Sequence, residues 1–319
     1  MAYETNTVLG VSALLAALET FLVANGWSVV RSESISGGVD FTNNNLVVSN
    51  TGFGGNDIIY AGFELITDPS DGGSATYGNL LLQSFTAFDA SLSNTQQEGA
   101  LKNPNYVFLV SEVSASIDYH FICNDRRIIV ITSHDSGNIW EIAYIGYIIP
   151  YGNKEEFASP VFVGGSGITT STDITSVTNY HNAFFDPTSI FISSNYWYNA
   201  FLKVGSNWTG FANKVYDVSA SALSYSNLRT MMPYASNNTN TPIWQSLGEN
   251  EDGYYNLFPI TFVDKYDANT VYGELDGIYA VISSALSAGD IITYDGDNYI
   301  IVQNTYSTSA NSLCAVRLT

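Results

Sequence analysis

The chain has 319 residues, 45% of them hydrophobic and 14% aromatic, which supplies a packed core and excludes global disorder. Asp and Glu number 30 against 10 Lys and Arg, a formal charge of −20, and no basic cluster exists to neutralise phosphates, so nucleic acid is excluded as a partner. The acidic excess instead keeps a surface rich in Asn, Ser, Thr and Tyr in solution.

The first element is the clearest. In residues 7–30 (TVLGVSALLAALETFLVANGWSVV), Val11, Leu15, Leu18 and Leu22 recur at helical spacing, and Leu14 and Phe21 widen the same stripe. Thr7 is the expected N-cap, because its hydroxyl can accept an unpaired amide of the first turn. Asn25-Gly26 is the expected stop, since both residues tolerate the left-handed conformation past a helix end. Burying five or six such side chains against a sheet is worth about 10 kcal/mol of gross transfer free energy. The helix therefore reads as the cover of a β-rich body. Residues 1–10 hold no Lys or Arg for a signal peptide, and Glu19 breaks an apolar run that is already short for a bilayer, so no membrane is expected.

Beyond the helix, short apolar or alternating runs are punctuated by Gly, Asn, Asp and Pro. Residues 45–49 and 57–67 read as strands, residues 68–73 (DPSDGG) as a loop, and residues 80–88 as strand or short helix. Residues 106–113, 116–122 and 127–133 read as three strands of one antiparallel meander, with a turn at Asn124-Asp125-Arg126. Residues 140–149 (WEIAYIGYII) are nearly all apolar and predict a central strand buried on both faces, in which Gly146 marks a bulge or a close backbone approach. The stretch 164–253 is weakly patterned and aromatic, the composition of a partner-facing surface. Residues 259–263, 278–282, 290–294, 299–303 and 312–318 read as C-terminal strands, and Asp295-Gly296 is a strong hairpin signal.

Chemistry is mostly absent. Cys123 and Cys314 each sit in an apolar strand-like run and read as two small buried side chains rather than a disulfide. His120, His134 and His181 lack metal-ligand spacing, and His134-Asp135 reads as a turn histidine beside an aspartate. Glu249, Glu251 and Asp252, and separately Asp295 and Asp297, could offer carboxylates to calcium, but neither set has the spacing of a calcium loop. Gly164-Gly165-Ser166-Gly167 lacks a phosphate-binding lysine and reads as a turn. No enzyme, cofactor or metal is expected.

Two stretches carry a resemblance. Residues 144–152 (YIGYIIPYG) with 159–165 (SPVFVGG), and residues 272–279 (YGELDGIY) with Gly289-Asp290 and residues 311–318, resemble segments of tailed-bacteriophage virion proteins. The opening MAYE, helix and Gly26-Trp27 also occur in such proteins. The resemblance covers about a third of the chain and implies a virion structural protein, tail-, baseplate- or neck-associated, with no catalytic residues to carry over. It implies localisation in the virion after assembly in the host cytoplasm. The implied partners are other virion proteins, through a homo-oligomeric ring or another symmetric assembly.

The expected fold is mainly β, an antiparallel β-sandwich or barrel body with the N-terminal amphipathic helix packed on it. A β-rich body at 1–253 precedes a small C-terminal β-hairpin or barrel domain at 254–319. Tyr196, Trp197, Tyr198, Trp208 and Trp244 are the expected partner contacts, aromatic anchors among polar residues. The alternatives are a receptor- or glycan-binding adhesin module of the tail, where tryptophans would stack on a ligand, or a neck, collar or capsid decoration protein.

Overall fold

The structure, a computed structural model, describes residues 1–37, 41–52, 57–67, 77–101, 107–112, 115–134, 136–152, 160–165, 184, 200–212, 229–232, 256–264, 270–281, 283, 285–304 and 313–319. The fold is mainly β, with antiparallel sheets and, among the described residues, one α-helix.

The chain opens on a strand. β1 (Ala2–Leu9) pairs over its whole length with β7 (Ser116–Cys123), from Ala2 opposite Cys123 to Leu9 opposite Ser116. Thr7 is therefore not the N-cap of the helix: it lies in β1, where its hydroxyl donates to the Asp118 carboxylate. Helix α1 (Val11–Ala24) starts after Gly10, whose φ of 81° turns the chain out of the strand, and no side chain caps it. Long-range strand pairing overrides the local cap signal here. The stripe itself is as read: Val11, Leu14, Leu15, Leu18, Phe21 and Leu22 are all buried. At the far end the Gly26 amide donates to Val23 O (3.2 Å) and the Trp27 amide to Leu22 O (3.0 Å), the Schellman pattern, with Gly26 at φ 87°.

β2 (Ser28–Gly37), β3 (Phe41–Asn50), β4 (Ile59–Thr67), β5 (Tyr77–Phe85) and β6 (Val107–Glu112) form a five-stranded antiparallel sheet in that order. β6 thus does not share a meander with β7 and the strand after it, as its spacing suggested. It pairs with β5, and Leu109 joins Leu80 and Leu82 in the same core. Local pattern sets strand spacing but not which sheet a strand enters.

The other strands are β7, β8 (Arg127–His134), β9 (Ile139–Tyr147), β10 (Ile149–Pro150), β11 (Val161–Gly164), β12 (Ala200–Val204), β13 (Asn207–Ala212), β14 (Arg229–Met232), β15 (Phe258–Asp264), β16 (Thr270–Val281), β17 (Ile291–Tyr294), β18 (Asp297–Gln303) and β19 (Leu313–Arg317). With β1 they make a 14-stranded sheet, in the order β1-β7-β8-β9-β11-β12-β13-β14-β15-β16-β19-β18-β17, with β10 attached to β16. Every pairing is antiparallel except β13 with β14. Among the described residues the sheet does not close on itself: β1 and β17 end the order, so neither the body nor the C-terminal strands form a closed barrel there.

β8 and β9 are buried at every position, as two-faced central strands require. Alternate residues feed two different cores. Ile128, Val130, Ala143, Ile145 and Tyr147 pack with α1 and the five-stranded sheet. Ile129, Ile131, Trp140, Ile142 and Tyr144 pack with Ile260, Phe262, Leu275, Ile278, Ile300, Cys314 and Val316 from the C-terminal strands. The C-terminal strands therefore share a core with β8 and β9. Both cysteines are free and buried, and burial raises the Cys123 thiol to about 11. Asp295 (φ 50°) and Gly296 (φ 87°) make the two-residue turn joining β17 and β18, both with the positive φ of a type I′ hairpin.

Candidate functional site

Tyr196, Trp197, Tyr198 and Trp244 lie outside the described residues, as do His181, Glu249, Glu251 and Asp252. Trp208 is half-buried on β13, opposite Lys203 of β12. Its ring packs against the core beneath the five-stranded sheet, and its indole N–H donates to Gly99 O at 2.8 Å. Gly99 holds φ 69°, and a Cβ there would stand 2.5 Å from Thr86 Oγ1, so the carbonyl that Trp208 meets is fixed by glycine. Lys203 is held below the usual lysine range, by burial first, with the Glu98 carboxylate opposing. His134 is not a turn residue, as its sequence neighbours suggested: it is the buried last residue of β8. His120 shares a hydrogen bond with the Tyr3 hydroxyl through Nδ1 (3.0 Å), and burial holds its pKa low against the pull of Asp118.

The loop carrying Gly99 is tied down by one arginine. Arg31 of β2 donates to Asn94 Oδ1 (3.0 Å), Ala90 O (2.9 Å) and Leu92 O (2.7 Å), and its Nε meets Glu33 at 3.0 Å. Its guanidinium lies 4.9 Å from the centroid of the Phe88 ring. Asn94 in turn donates to Asn45 Oδ1 (2.9 Å). A buried cation is tolerable because its donors meet oxygens, so the loop closes over the outer face of the sheet instead of fraying.

The most concentrated charge lies elsewhere, on β16. Its register with β15 jumps from Tyr279 opposite Pro259 to Glu274 opposite Thr261, so the residues between them bulge against Ile260 alone. The bulge carries Asp276, whose side chain is 2% exposed, and three guanidinium groups close on it. Arg127 Nε stands 3.0 Å and Arg126 Nη2 3.2 Å from Oδ2, and Arg317 Nη2 stands 3.1 Å from Oδ1. Asn124 Nδ2 donates to Oδ2 at 3.2 Å. Burial alone would push the Asp276 carboxyl up, but Arg127 and the neighbouring donors hold it below the usual aspartate range. Arg126 also meets Asp125, and Arg317 meets Asp297, each at 3.6 Å. Three cations thus face three carboxylates, and the arrangement binds strand to strand.

Two glycines make room for it. Gly277 (φ 86°) would place a Cβ 2.5 Å from Arg127 Nη2. Gly146 of β9 would place one 2.4 Å from Arg127 Cβ and 2.6 Å from Arg126 O. The close backbone approach expected at Gly146 is therefore present, and its neighbour is the base of the buried arginine. Gly146→Ala must separate β9 from β8 at this point. It is expected to cost about 2–3 kcal/mol, read as a lowered denaturation midpoint at unchanged slope. A midpoint equal to that of the parent would refute the close approach.

Sequence reasoning missed this node because its members come from four places in the chain. The available signals were an Asp-Gly pair inside a strand and an adjacent Arg-Arg pair in a chain of only 10 basic residues. Among the described residues no group of three His, Cys, Asp or Glu could hold a metal ion. No described helix is long and apolar enough to cross a membrane. No protein-family model matches the chain, and no curated protein matches it.

Proposed function

We propose that the chain is a structural subunit of a tailed-bacteriophage virion, tail- or baseplate-associated, acting through protein–protein contacts in a symmetric assembly. One observation carries the reading: the stretches that resemble virion proteins, more than a hundred residues apart in the chain, adjoin in the fold. β10 pairs with β16, Ile149 opposite Glu274 and Pro150 opposite Gly273. The Tyr151 amide donates to Tyr272 O (3.2 Å), and the Tyr151 hydroxyl donates to Glu274. β19 pairs with β16 farther along the edge that β10 takes, away from β15, and Gly146 stands against the base of Arg127, whose guanidinium meets Asp276, the carboxylate that Arg317 also meets. Similarities scattered by chance would have no reason to meet. Stretches that build one structural unit do.

On this reading the five-stranded sheet and strands β7 to β12 act as an antiparallel sandwich with α1 at its side, and residues 254–319 form a smaller C-terminal unit set against it. Trp208 belongs to the contact region together with Tyr196, Trp197, Tyr198 and Trp244. The adhesin reading stands second, because it needs tryptophan faces free to stack on a ligand and the Trp208 ring packs against the chain's own core.

The test is direct. The purified chain should form rings visible by electron microscopy or co-sediment with particles, and antibodies against it should decorate virions. A chain that stays monomeric, ignores particles and binds host cells by itself would overturn the subunit reading in favour of an adhesin.

A further inference from the structure

The geometry points to the outer edge of β17 as a docking site for an extended segment of another protein that carries basic residues at both ends. The strand ends the order of the large sheet and pairs only with β18 among the described residues. The Asp290 carbonyl accepts the Ile301 amide at 2.9 Å, and Tyr294 faces Asp297 across the hairpin. Alternate residues of an antiparallel strand point their backbone groups the same way. Asp290, Ile292 and Tyr294 therefore turn theirs to β18, and Ile291 and Thr293 turn amide and carbonyl outward. Ile291 is 54% and Tyr294 44% exposed, so an added strand would also cover apolar surface on both faces. β17 carries no charge, proline or bulge of the kinds that blunt an edge.

The flanks choose the occupant. Asp290 and Asp295 bracket the strand. In an antiparallel pairing of two copies the outward residues must meet, Ile291 opposite Thr293 or Thr293 opposite Thr293, and either register sets Asp295 of each copy within one residue of Asp290 across the ladder. Like charges brought that close repel, and two chains of −20 repel besides. A strand with Lys or Arg at its ends meets both aspartates favourably and extends the ladder, the β-augmentation mode of recognition. The inference does not need the virion reading, since edge and charges are the same whatever the assembly.

A fluorescein-labelled peptide with a Val-Thr-Val-Thr-Val core and two lysines at each end, titrated into the full chain, tests it by anisotropy. Saturable binding that weakens as salt rises is expected, with the same core flanked by aspartates binding about tenfold less or not at all. Ile291→Pro removes one outward amide and leaves the β18 ladder intact, so it should abolish binding without moving the melting temperature. Asp295→Asn keeps the turn chemistry and should weaken binding and flatten its salt dependence. Equal binding of the two peptides, unchanged binding by both variants, or no binding of the lysine peptide would overturn the proposal. So would a concentration-dependent dimer that Ile291→Pro abolishes, which would make a second copy the occupant.

Discussion

Asp276→Asn is expected to lower the unfolding free energy by about 3–5 kcal/mol, because it removes the carboxylate that three guanidinium groups share and leaves buried charge without its counter-ion. Arg127 decides the magnitude. Its side chain is fully buried, and besides Asp276 it meets the weak acceptor Met1 Sδ at 3.0 Å. Arg126 and Arg317 are about a third exposed and can turn to water. A loss of this size corresponds to a drop in melting temperature of about 5–10 °C. The pH dependence follows from the direction of the Asp276 shift. Its folded pKa lies below the unfolded value of about 3.9, so its contribution is complete above that value and disappears as pH falls through the folded one. Parent and variant should therefore differ at neutral pH and converge in acid. Arg127→Met in the Asp276→Asn background should restore part of the loss, since an apolar side chain needs no counter-ion. A melting temperature within a degree or two of the parent at neutral pH would remove the node as the tie between β8, β16 and β19.

What the sequence disclosed divides along a physical line. The stripe of α1, its Asn25-Gly26 stop, the two-faced burial of β9 and the Asp295-Gly296 hairpin are local signals, each decided within a few residues by periodicity or backbone freedom, and each is present. The errors are all long-range. Thr7 became a strand residue because β7, more than a hundred positions away, captures residues 2–9. β6 went to the other sheet because Leu109 fits the core beside Leu80 and Leu82. Neither outcome could be read from a window of ten residues.

The candidate site was legible in pieces only. Gly146 could be singled out as a glycine inside a strand, but its partner, the Arg127 backbone, is known only once β8 and β9 pair. Asp276 looks like any turn aspartate until the bulge aims it inward. Trp208 stood out in the sequence as an aromatic among polar residues, but the Gly99 carbonyl of the same chain that takes its indole N–H did not. Composition shows how scarce the cations are, and only the fold shows that three of them converge.

The same contrast between local and long-range determinants gives Leu18→Asp a large expected effect. Leu18 is fully buried in the middle of the α1 stripe, and the core it joins includes Phe21, Leu22, Leu46, Val48, Phe121 and Val130. Losing the leucine alone costs about 3 kcal/mol through transfer and cavity. A carboxylate in its place has no cation among those neighbours, so the total is expected to reach about 5 kcal/mol or more, enough to detach the helix or unfold the chain. Burial raises the pKa of the introduced carboxyl above its unfolded value, so the destabilisation is greatest above the folded pKa and shrinks as pH falls and the group takes a proton. That sign is opposite to the behaviour of Asp276, whose contribution is lost in acid. Ser12→Asp provides the control on the same helix: the position is exposed in the first turn, where no acidic residue stands, and a negative charge there should stabilise by a few tenths of a kcal/mol. Parallel melts at pH 7 and pH 4 separate the cases. If Leu18→Asp melted like the parent at pH 7, or if its deficit grew in acid, α1 would not be the cover of the shared core.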